Sequence, residues 1–338
     1  MINIINVFIV LTPFQKREME NIFPEKITSK TTLIIKSKIV NGFNKNHNVI
    51  TLNFENFSIF NLLENPFKQV IQVRKYFANL NEIINDLESK YLLKNGFNLF
   101  IGSDKDHFTQ LFINKHIGFK NKNRLIAIEE GTGYYIRENV LDYIYSFIYP
   151  IFSFLIYGNK INYIRCLGKD KRIDDLYLRF PDLVPNKSSK ILYKKIPNDN
   201  FKINLKTKRS DVLFFSFPEQ DYNQNFVFKK KLYTYIIKNY LNPNELLFIK
   251  PHPRENLLDL KKLVEETSKI RLIDKNILGE DLKFEKYKKI VNFSSSIIFH
   301  LFNINFPMND IITIGFKKRP NISIFNSTVY LKYSSIIN

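Results

Sequence analysis

Short apolar runs alternate along the chain with longer segments in which apolar residues recur at helical spacing. In the first half, the pattern predicts strands at residues 3–11, 31–35, 48–52, 98–101 and 124–128. Helical spacing predicts helices that include residues 17–22 and 66–92. Ser103-Asp104 is typical of an N-cap and predicts another helix that runs to His116. Such alternation predicts an α/β fold with a parallel sheet and helices on both faces.

The character of the chain changes between residues 181 and 211. This stretch has three prolines, many lysines and weak periodicity, and is typical of a crossing between domains. Beyond it the pattern resumes, with strands at 211–217, 246–249, 271–273 and 289–292 and helices at 226–241, 256–266 and from 294. We predict a Rossmann-like N-terminal domain at 1–185, a linker at 186–210, a Rossmann-like C-terminal domain at 211–315 and a tail at 316–338 that packs back on the first domain.

Length and composition support two folded domains. The chain has 338 residues, more than one hydrophobic core usually serves, and 44% of them are hydrophobic, which excludes a disordered protein. Cys166 is the only cysteine, which excludes a disulfide framework and a cysteine-built zinc site. The five histidines are scattered and form no HExxH pattern, so no metal site is predicted.

The charge of the chain is strongly basic. Lysine and arginine outnumber aspartate and glutamate by 51 to 32, and the formal net charge is +19. Such a surplus favours anionic partners, namely nucleic acid, acidic lipid or phosphorylated substrates. A basic nucleic-acid-binding protein is the alternative from another class. Because the lysines are dispersed and no zinc finger, RRM or KH pattern occurs, no nucleic-acid partner is expected.

The most apolar segment comprises residues 143–157. It is short for a membrane span and has Pro150 near its centre, so we expect a buried helix pair or a subunit interface, which leaves a homodimer open. Because the segment is rich in tyrosine, peripheral contact with a membrane is the alternative. Residues 1–15 lack the pattern of a signal peptide. We therefore expect a cytoplasmic protein, free or attached to the inner face of the cytoplasmic membrane.

An acidic turn follows the predicted strand 124–128 and has the sequence Glu129-Glu130-Gly131. The glycine allows a tight turn, and two adjacent carboxylates raise each other's pKa. One of the two glutamates could act as a base that takes a proton from a substrate hydroxyl. A solvated acidic turn without function is the alternative.

A rigid basic turn follows a predicted strand of the second domain, with the sequence Lys250-Pro251-His252-Pro253-Arg254. The prolines forbid a helix and hold His252 just past the carboxyl end of a strand, where open α/β sheets place their ligands. Lys250 and Arg254 would suit an anion, and the imidazole could protonate or hydrogen-bond a leaving phosphate. A solvated β-turn is the alternative.

Three serines, Ser294, Ser295 and Ser296, precede the apolar helix IIFHLF. Hydroxyls and free backbone N–H groups at a helix N-terminus form an anion site, although ordinary N-capping is the alternative. A cleft between two domains would bring the acidic turn, the histidine turn and the serines together.

The order EEG, KPHP and SSS resembles the D/E-D/E-G, HP and S-S/T signature of bacterial sialyltransferases. With the TPFQ loop at residues 12–15, it looks most like the lipooligosaccharide sialyltransferases, glycosyltransferase family 52. The capsular polysialyltransferases share the three motifs and are the close second. The motifs extend from residue 12 to about residue 300 and therefore cover nearly the whole chain.

The resemblance implies a GT-B architecture, two Rossmann-like domains with the active site in a cleft between them. It implies an inverting transfer of N-acetylneuraminic acid from CMP-Neu5Ac to a terminal galactose of lipooligosaccharide or a capsular glycan. Polysialic acid synthesis or a Kdo-type CMP-sugar transfer is the alternative. No cofactor or metal is expected, because CMP leaves as a single phosphate. Asp104-Lys105-Asp106 matches the DxD of metal-dependent transferases, but it stands at a predicted helix start, where aspartates serve as caps.

The resemblance also implies residue roles. Glu130 is the first choice as base, with Glu129 and Asp221 as alternatives, and His252 is the acid that assists departure of CMP. The implied donor-binding residues, with Glu280 on the ribose hydroxyls and the serines on the phosphate, are Gly131, Lys250, Pro253, Arg254, Glu280, Ser294, Ser295 and Ser296. The implied acceptor-side residues are Thr12, Pro13 and Gln15.

Overall fold

The structure is a computed structural model of the chain, which divides into two compact units, residues 1–197 and 198–338. The residues that it describes are 5–43, 48–52, 66–91, 96–117, 122–135, 140–162, 167–196, 209–217, 226–252, 255–293, 297–315 and 328–332. Asp221, Pro253, Arg254, Ser294, Ser295 and Ser296 lie outside the described residues.

The first unit is built on one parallel sheet. Its strands in the described part of the chain are β1 (Asn6–Val10), β2 (Thr32–Ser37), β3 (Asn48–Leu52), β4 (Asn98–Ile101), β5 (Arg124–Ile128), β6 (Ile173–Leu178) and β7 (Leu192–Lys195). They lie in the order β3-β2-β1-β4-β5-β6-β7, and each pairing is parallel. The strand order reverses between β1 and β4, so the carboxyl ends of these two strands flank the switch point at which doubly wound sheets bind ligands.

Helices accompany this sheet in the described part of the first unit. They are α1 (Pro13–Ile22), α2 (Pro24–Ile27), α3 (Pro66–Tyr91), α4 (His107–His116) and α5 (Val140–Tyr157). All five residues of β1 are buried, as expected for a strand that is covered on both faces. Phe8 of β1 stacks on Phe100 of β4 with ring centroids 4.2 Å apart, so the centre of the sheet is tightly packed.

The second unit repeats the architecture with a smaller sheet. Its described strands are β8 (Asp211–Phe215), β9 (Leu247–Lys250), β10 (Ile270–Leu272), β11 (Tyr287–Asn292), β12 (Ile311–Gly315) and β13 (Val329–Lys332). Their order is β10-β9-β8-β11-β12-β13, again with parallel pairings, and the switch point lies between β8 and β11. Its described helices are α6 (Phe226–Tyr240), α7 (Leu257–Glu266) and α8 (Ile297–Asn303). The predicted α/β class with two parallel sheets is confirmed.

Four strands, β6, β7, β12 and β13, lie where the sequence predicts none. β7, at Leu192–Lys195, pairs with β6 in the first sheet, although the sequence predicts a linker there. β13, at Val329–Lys332, pairs with β12 in the second sheet, although the sequence predicts a tail on the first domain. Both are four-residue strands at sheet edges, where half of the backbone pairing is missing and the apolar signal is weak.

The N-cap of α4 differs from the one predicted. Asp106, rather than Ser103-Asp104, is the N-cap, and its side chain accepts the backbone N–H of Thr109 at 2.8 Å. Asp104 instead accepts backbone N–H groups from Gly168 at 3.1 Å and from Asp170 at 3.2 Å. Both aspartates are chemically competent caps, and contact with a distant loop decides between them.

The apolar segment at residues 143–157 belongs to a single helix, α5, with Pro150 inside it. The prediction of a buried helix pair is wrong, because most large apolar side chains of α5 are exposed. In the described part of the chain, no helix has the length and apolar character needed to cross a membrane.

Candidate active site

The acidic motif lies at the switch point of the first sheet. Thr12 and Gln15 follow β1, Gly102 to Asp106 follow β4, and Glu129 and Glu130 follow β5. Because the strands are parallel, these segments emerge from the same edge of the sheet. The side chains that could carry chemistry are therefore gathered by topology from positions more than a hundred residues apart.

The segment after β1, residues 12–15, begins helix α1 and lies at one side of the site. Thr12 caps α1 by accepting the backbone N–H of Gln15 at 3.1 Å, and Pro13 occupies the first helical turn, where its missing N–H costs nothing. The side-chain oxygen of Gln15 accepts the N–H of Leu11 at 2.6 Å. The hydroxyl of Thr12 donates to Glu130 Oε1 at 3.4 Å. Thr12 and Gln15 thus lie beside the acidic turn.

Gly102, at the end of β4, makes room for Gln15. A Cβ at position 102 would lie 2.6 Å from Gln15 Nε2, which no real side chain tolerates. The glycine therefore lets the buried Gln15 side chain cross the end of β4 and reach Glu130. The sequence signal for this role is slight, because a glycine after a strand is common in any α/β loop.

Glu130 is a partly buried carboxyl group whose pKa is shifted toward neutrality. Burial raises the pKa of Glu130 to about 7, and the negative charge of Asp106 adds to the effect. Hydrogen bonds from Gln15 and Thr12 oppose the rise. A carboxyl group with this pKa is balanced between its two protonation states near pH 7, as a general base requires.

Glu129 has a different environment from its neighbour. Its side chain is fully buried, and Arg179 contacts it twice, through the backbone N–H at 2.6 Å and through Nη1 at 3.2 Å. Tyr135 donates its hydroxyl to Glu129 Oε2 at 2.5 Å. Burial raises the pKa of Glu129, while Arg179 and Tyr135 act to lower it. Through these contacts, the Glu129 carboxylate joins the end of β6 to the turn after β5.

Arg179 connects this turn to the first helix. Its Nη2 lies 2.7 Å from Glu18 Oε2 in α1, and its guanidinium lies over the Phe14 ring at 5.4 Å. Both Arg179 and Glu18 are buried, so the ion pairs are shielded from water. Sequence reasoning missed both residues, since it predicts no strand at 173–178, where two aspartates interrupt the apolar run before Arg179.

Asp104 and Asp106, the two aspartates of the DxD match, make different structural contacts. Asp104 is buried and bonded to backbone N–H groups of residues 168–170, and burial raises its pKa to about 6. Asp106 caps α4, and burial likewise raises its pKa to about 6. Among the described residues, no group of three or more His, Cys, Asp or Glu side chains has the geometry of a metal site.

In the second unit, Glu255 holds the turn that carries His252. Its Oε2 accepts the His252 N–H at 3.0 Å, and its own N–H donates to the His252 carbonyl at 3.0 Å. Its Oε1 accepts the hydroxyl of Ser216, after β8, at 2.7 Å and is also bonded to Lys229. Lys229 and Glu255 have side chains with no exposed area. A buried ion pair thus fixes the histidine turn to the end of β8.

Lys250 does not stand beside His252 as an exposed anion ligand. It is buried, and its ammonium donates to the carbonyls of Pro251 at 3.0 Å and Lys275 at 3.1 Å. Burial lowers the pKa of Lys250, and the charges of Asp274 and Glu280 oppose that shift. Glu280 lies in the 3-10 turn Gly279–Asp281 and is partly exposed, and its predicted contact with the ribose stays a prediction.

The acidic turn contains one glycine with a special backbone. Gly131 has φ of 102°, a left-handed conformation that side-chain-bearing residues avoid. The glycine lets the chain reverse directly after Glu130. Its predicted contact with the donor stays a prediction.

A family model described as Alpha-2,8-polysialyltransferase (POLYST) matches residues 6–306 of the chain. The chain belongs to the alpha-2,8-polysialyltransferase family. It is therefore a sialyltransferase-type glycosyltransferase. The sequence placed this family second, behind the lipooligosaccharide sialyltransferases, whose three motifs it shares. Comparison with curated proteins finds no match.

Several solved structures have a fold similar to that of this chain. A UDP-GlcNAc 2-epimerase of Methanocaldococcus jannaschii aligns with a TM-score of 0.54 at 12% identity, over 97% of this chain and 89% of its own. The enzyme of the same name from Neisseria meningitidis gives 0.52 at 12%, over 98% and 89%. A trehalose 6-phosphate synthase of Burkholderia multivorans gives 0.50 at 7%, over 99% and 88%. At these identities the likeness shows the fold, and it confirms the GT-B class for this polysialyltransferase-family member.

Proposed function

We propose that the protein transfers a sialyl group from CMP-Neu5Ac to a hydroxyl of a cell-surface glycan, with inversion and without a metal ion. Family membership supports the reaction class. The single observation that supports a base is Glu130, a carboxyl with a pKa near 7 at the switch point of the first sheet, while Glu129 beside it is committed to Arg179.

Glu130 would act on the acceptor. Its carboxylate takes the proton of the acceptor hydroxyl while the hydroxyl oxygen forms a bond to C2 of the sialic acid. The bond between C2 and the phosphate oxygen breaks on the opposite face, which inverts the configuration. Thr12 and Gln15 would orient the carboxylate through the hydrogen bonds that they make to it.

His252 would act on the leaving group. CMP departs with the electron pair of the broken bond, and the imidazole donates a proton or hydrogen bond to its phosphate. Glu255 would position the histidine turn through the backbone contact at 3.0 Å. Gly131, Glu280, Arg254, Pro253 and the serines at 294–296 stay the proposed donor-binding residues, and CMP needs no divalent ion because it carries a single phosphate.

The family name makes the 8-hydroxyl of a terminal sialic acid the first acceptor to test. A terminal galactose of lipooligosaccharide or a capsular glycan, implied by the motif order, is the second. The two differ by whether the acceptor already carries sialic acid.

One incubation separates these possibilities. The protein is mixed with CMP-Neu5Ac, a labelled lactoside or a labelled sialyl-lactoside, and a chelator, and products are analysed by mass and linkage. Growth of the sialylated acceptor by α-2,8 bonds supports the proposal in full, and transfer to the lactoside alone assigns the galactose acceptor. Transfer only from CMP-Kdo, or no transfer from either donor, would overturn it.

Variants test the two roles. His252→Ala should lower turnover by about a hundredfold or more. Donor affinity should change little. The exposed Glu265 supplies a control, Glu265→Gln, with unchanged turnover. An unaltered rate in His252→Ala would remove the imidazole from the mechanism.

A further inference from the structure

Helix α5 presents its polar side inward and its apolar side outward. Asp142 and Ser153 are buried, and Ser153 Oγ accepts the N–H of Ile161 at 2.9 Å and donates to the Pro150 carbonyl at 3.0 Å. Of the described side chains of α5, eleven large apolar ones are 47–75% exposed, with Val140 and Phe147 at 75%. This arrangement is the reverse of an ordinary surface helix.

The exposed apolar positions form a broad convex arc. At 3.6 residues per turn they cover about 200° of the helix circumference, from Tyr143 through Phe147 and Ile148 to Tyr145. Asp142 is the only charged residue of the helix, and it lies on the buried side. A contiguous apolar surface of this extent marks an interaction site.

The buried side of α5, which includes Asp142 and Ser153, packs against the rest of the protein. The helix packs along α3, where Arg74 Nη2 donates to the carbonyl of Leu155 at 3.2 Å. With one side held in this way, α5 can be covered only along the outward arc. An occupant that spreads over a convex surface of about 200° must conform to the helix, as acyl chains and headgroups do.

Basic residues adjoin the arc. Ile71, which is 57% exposed, shares a face of α3 with Arg74 and Lys75 because the three lie at i, i+3 and i+4. The chain as a whole carries a net charge of +19. Lysine and arginine beside an exposed apolar helix are attracted to anionic headgroups, whereas a second copy of this chain would bring the same positive charge.

We propose that α5, together with Ile71, Arg74 and Lys75 of α3, forms a docking surface for an anionic membrane leaflet. The helix lies in the plane of the interface, with its apolar arc at the level of the upper acyl chains and its aromatic rings among the headgroups. This proposal does not depend on the proposed reaction, and its test uses no measurement of transfer.

The first experiment is flotation of the full chain with vesicles. Vesicles of phosphatidylcholine with added phosphatidylglycerol should carry the protein upward, pure phosphatidylcholine should carry less, and added salt should weaken binding. Phe147→Glu with Phe154→Glu should reduce the bound fraction by about tenfold. Leu258→Glu, at an equally exposed position of α7, is the matched control and should bind as the parent does.

The second experiment reports where contact occurs. The chain has no tryptophan, so Phe147→Trp introduces a single indole on the arc and Leu258→Trp a single indole elsewhere. On addition of anionic vesicles, the emission of the first should shift to shorter wavelength and be quenched by brominated lipid, and that of the second should not.

Three results would overturn the proposal. The first is that the Phe147→Glu/Phe154→Glu protein floats as well as its parent. The second is that the parent does not float although light scattering shows a monomer. The third is that the parent does not float and is a dimer, which the same two substitutions convert to a monomer. The last result would assign the arc to a second copy of the chain. Unchanged thermal unfolding of each variant shows that a loss of binding is not a loss of fold.

Discussion

The guanidinium of Arg179 lies 3.2 Å from Glu129 Oε1, and the other side of the same guanidinium reaches Glu18 at 2.7 Å. Arg179 therefore joins the ends of β5 and β6 to α1, and it forms an ion pair with the Glu129 carboxylate. Glu130, one residue later, accepts hydrogen bonds from Thr12 and Gln15 and has a pKa near neutrality. Adjacent glutamates thus have different environments, and the one with the pKa near neutrality is the proposed base.

Replacing Glu129 by Gln should mainly affect stability. The amide cannot neutralise Arg179, and breaking a buried pair leaves a charge without full compensation, so we expect a loss of about 3 kcal/mol. Urea unfolding measures the change. A midpoint equal to that of the parent would show that Glu18 alone satisfies the guanidinium.

Replacing Glu130 by Gln should mainly affect turnover. An amide cannot accept the acceptor proton, so we expect a loss of about a hundredfold to ten-thousandfold in kcat. Donor affinity, measured by titration with CMP, should remain. A kcat within twofold of the parent, alongside the Glu265→Gln control, would exclude Glu130 as base.

Transfer should become faster as pH rises toward neutrality. Glu130 must be ionised to act as base, and burial raises its pKa to about 7. Below that value kcat/KM should rise about tenfold per pH unit, and above it the rise should end. In Glu130→Gln the residual activity should lack this rise. The measurement is a pH–rate profile with saturating and limiting acceptor.

Stability should move in the opposite direction over the same range. A carboxyl whose folded-state pKa is raised binds its proton more tightly in the folded state, so its contribution is full below the ordinary pKa and is lost as pH rises through the raised one. Asp104 and Asp106, each with a pKa of about 6, and Glu130, with a pKa of about 7, act in the same sense.

We therefore expect Tm to fall between about pH 5 and about pH 8, and Glu130→Gln to remove part of the fall. Glu265→Gln should leave the slope unchanged. A Glu130→Gln protein that loses as much stability over this range as its parent would contradict the raised pKa.

The histidine turn should depend on a buried ion pair. Glu255→Gln leaves the buried Lys229 without its counter-ion and should cost about 3–5 kcal/mol. Lys229→Met combined with Glu255→Gln removes that charge and should recover part of the stability in urea unfolding. Turnover should stay low in the double variant, because one amide oxygen cannot replace the two carboxylate oxygens that accept from Ser216 and from the His252 N–H. Full recovery of turnover would show that the pair serves stability alone.

The sequence predicts the central strands well because parallel strands are buried on both faces. Such strands are continuous apolar runs bounded by turn residues, and the central strands β4 and β5 have the predicted bounds. The sequence also placed Glu130 and His252 directly after strands, which is where a parallel sheet gathers its functional side chains. It did not find β6, in which two aspartates interrupt the apolar run, nor the buried strand β12. It also missed the edge strands β7 and β13, whose short runs carry little hydrophobic signal.

The chain by itself determined the fold class, the order of the motifs and the resemblance to bacterial sialyltransferases, because each depends on local periodicity and on short stretches of neighbouring residues. Tertiary structure decided which of two adjacent glutamates pairs with Arg179, which residues contact the other, and which side of α5 faces outward. Arg179 reaches Glu129 across 50 positions, and Glu255 reaches Ser216 across 39. Contacts between such distant positions produce no periodic pattern in the sequence, because they depend on the order of the strands in the sheet rather than along the chain.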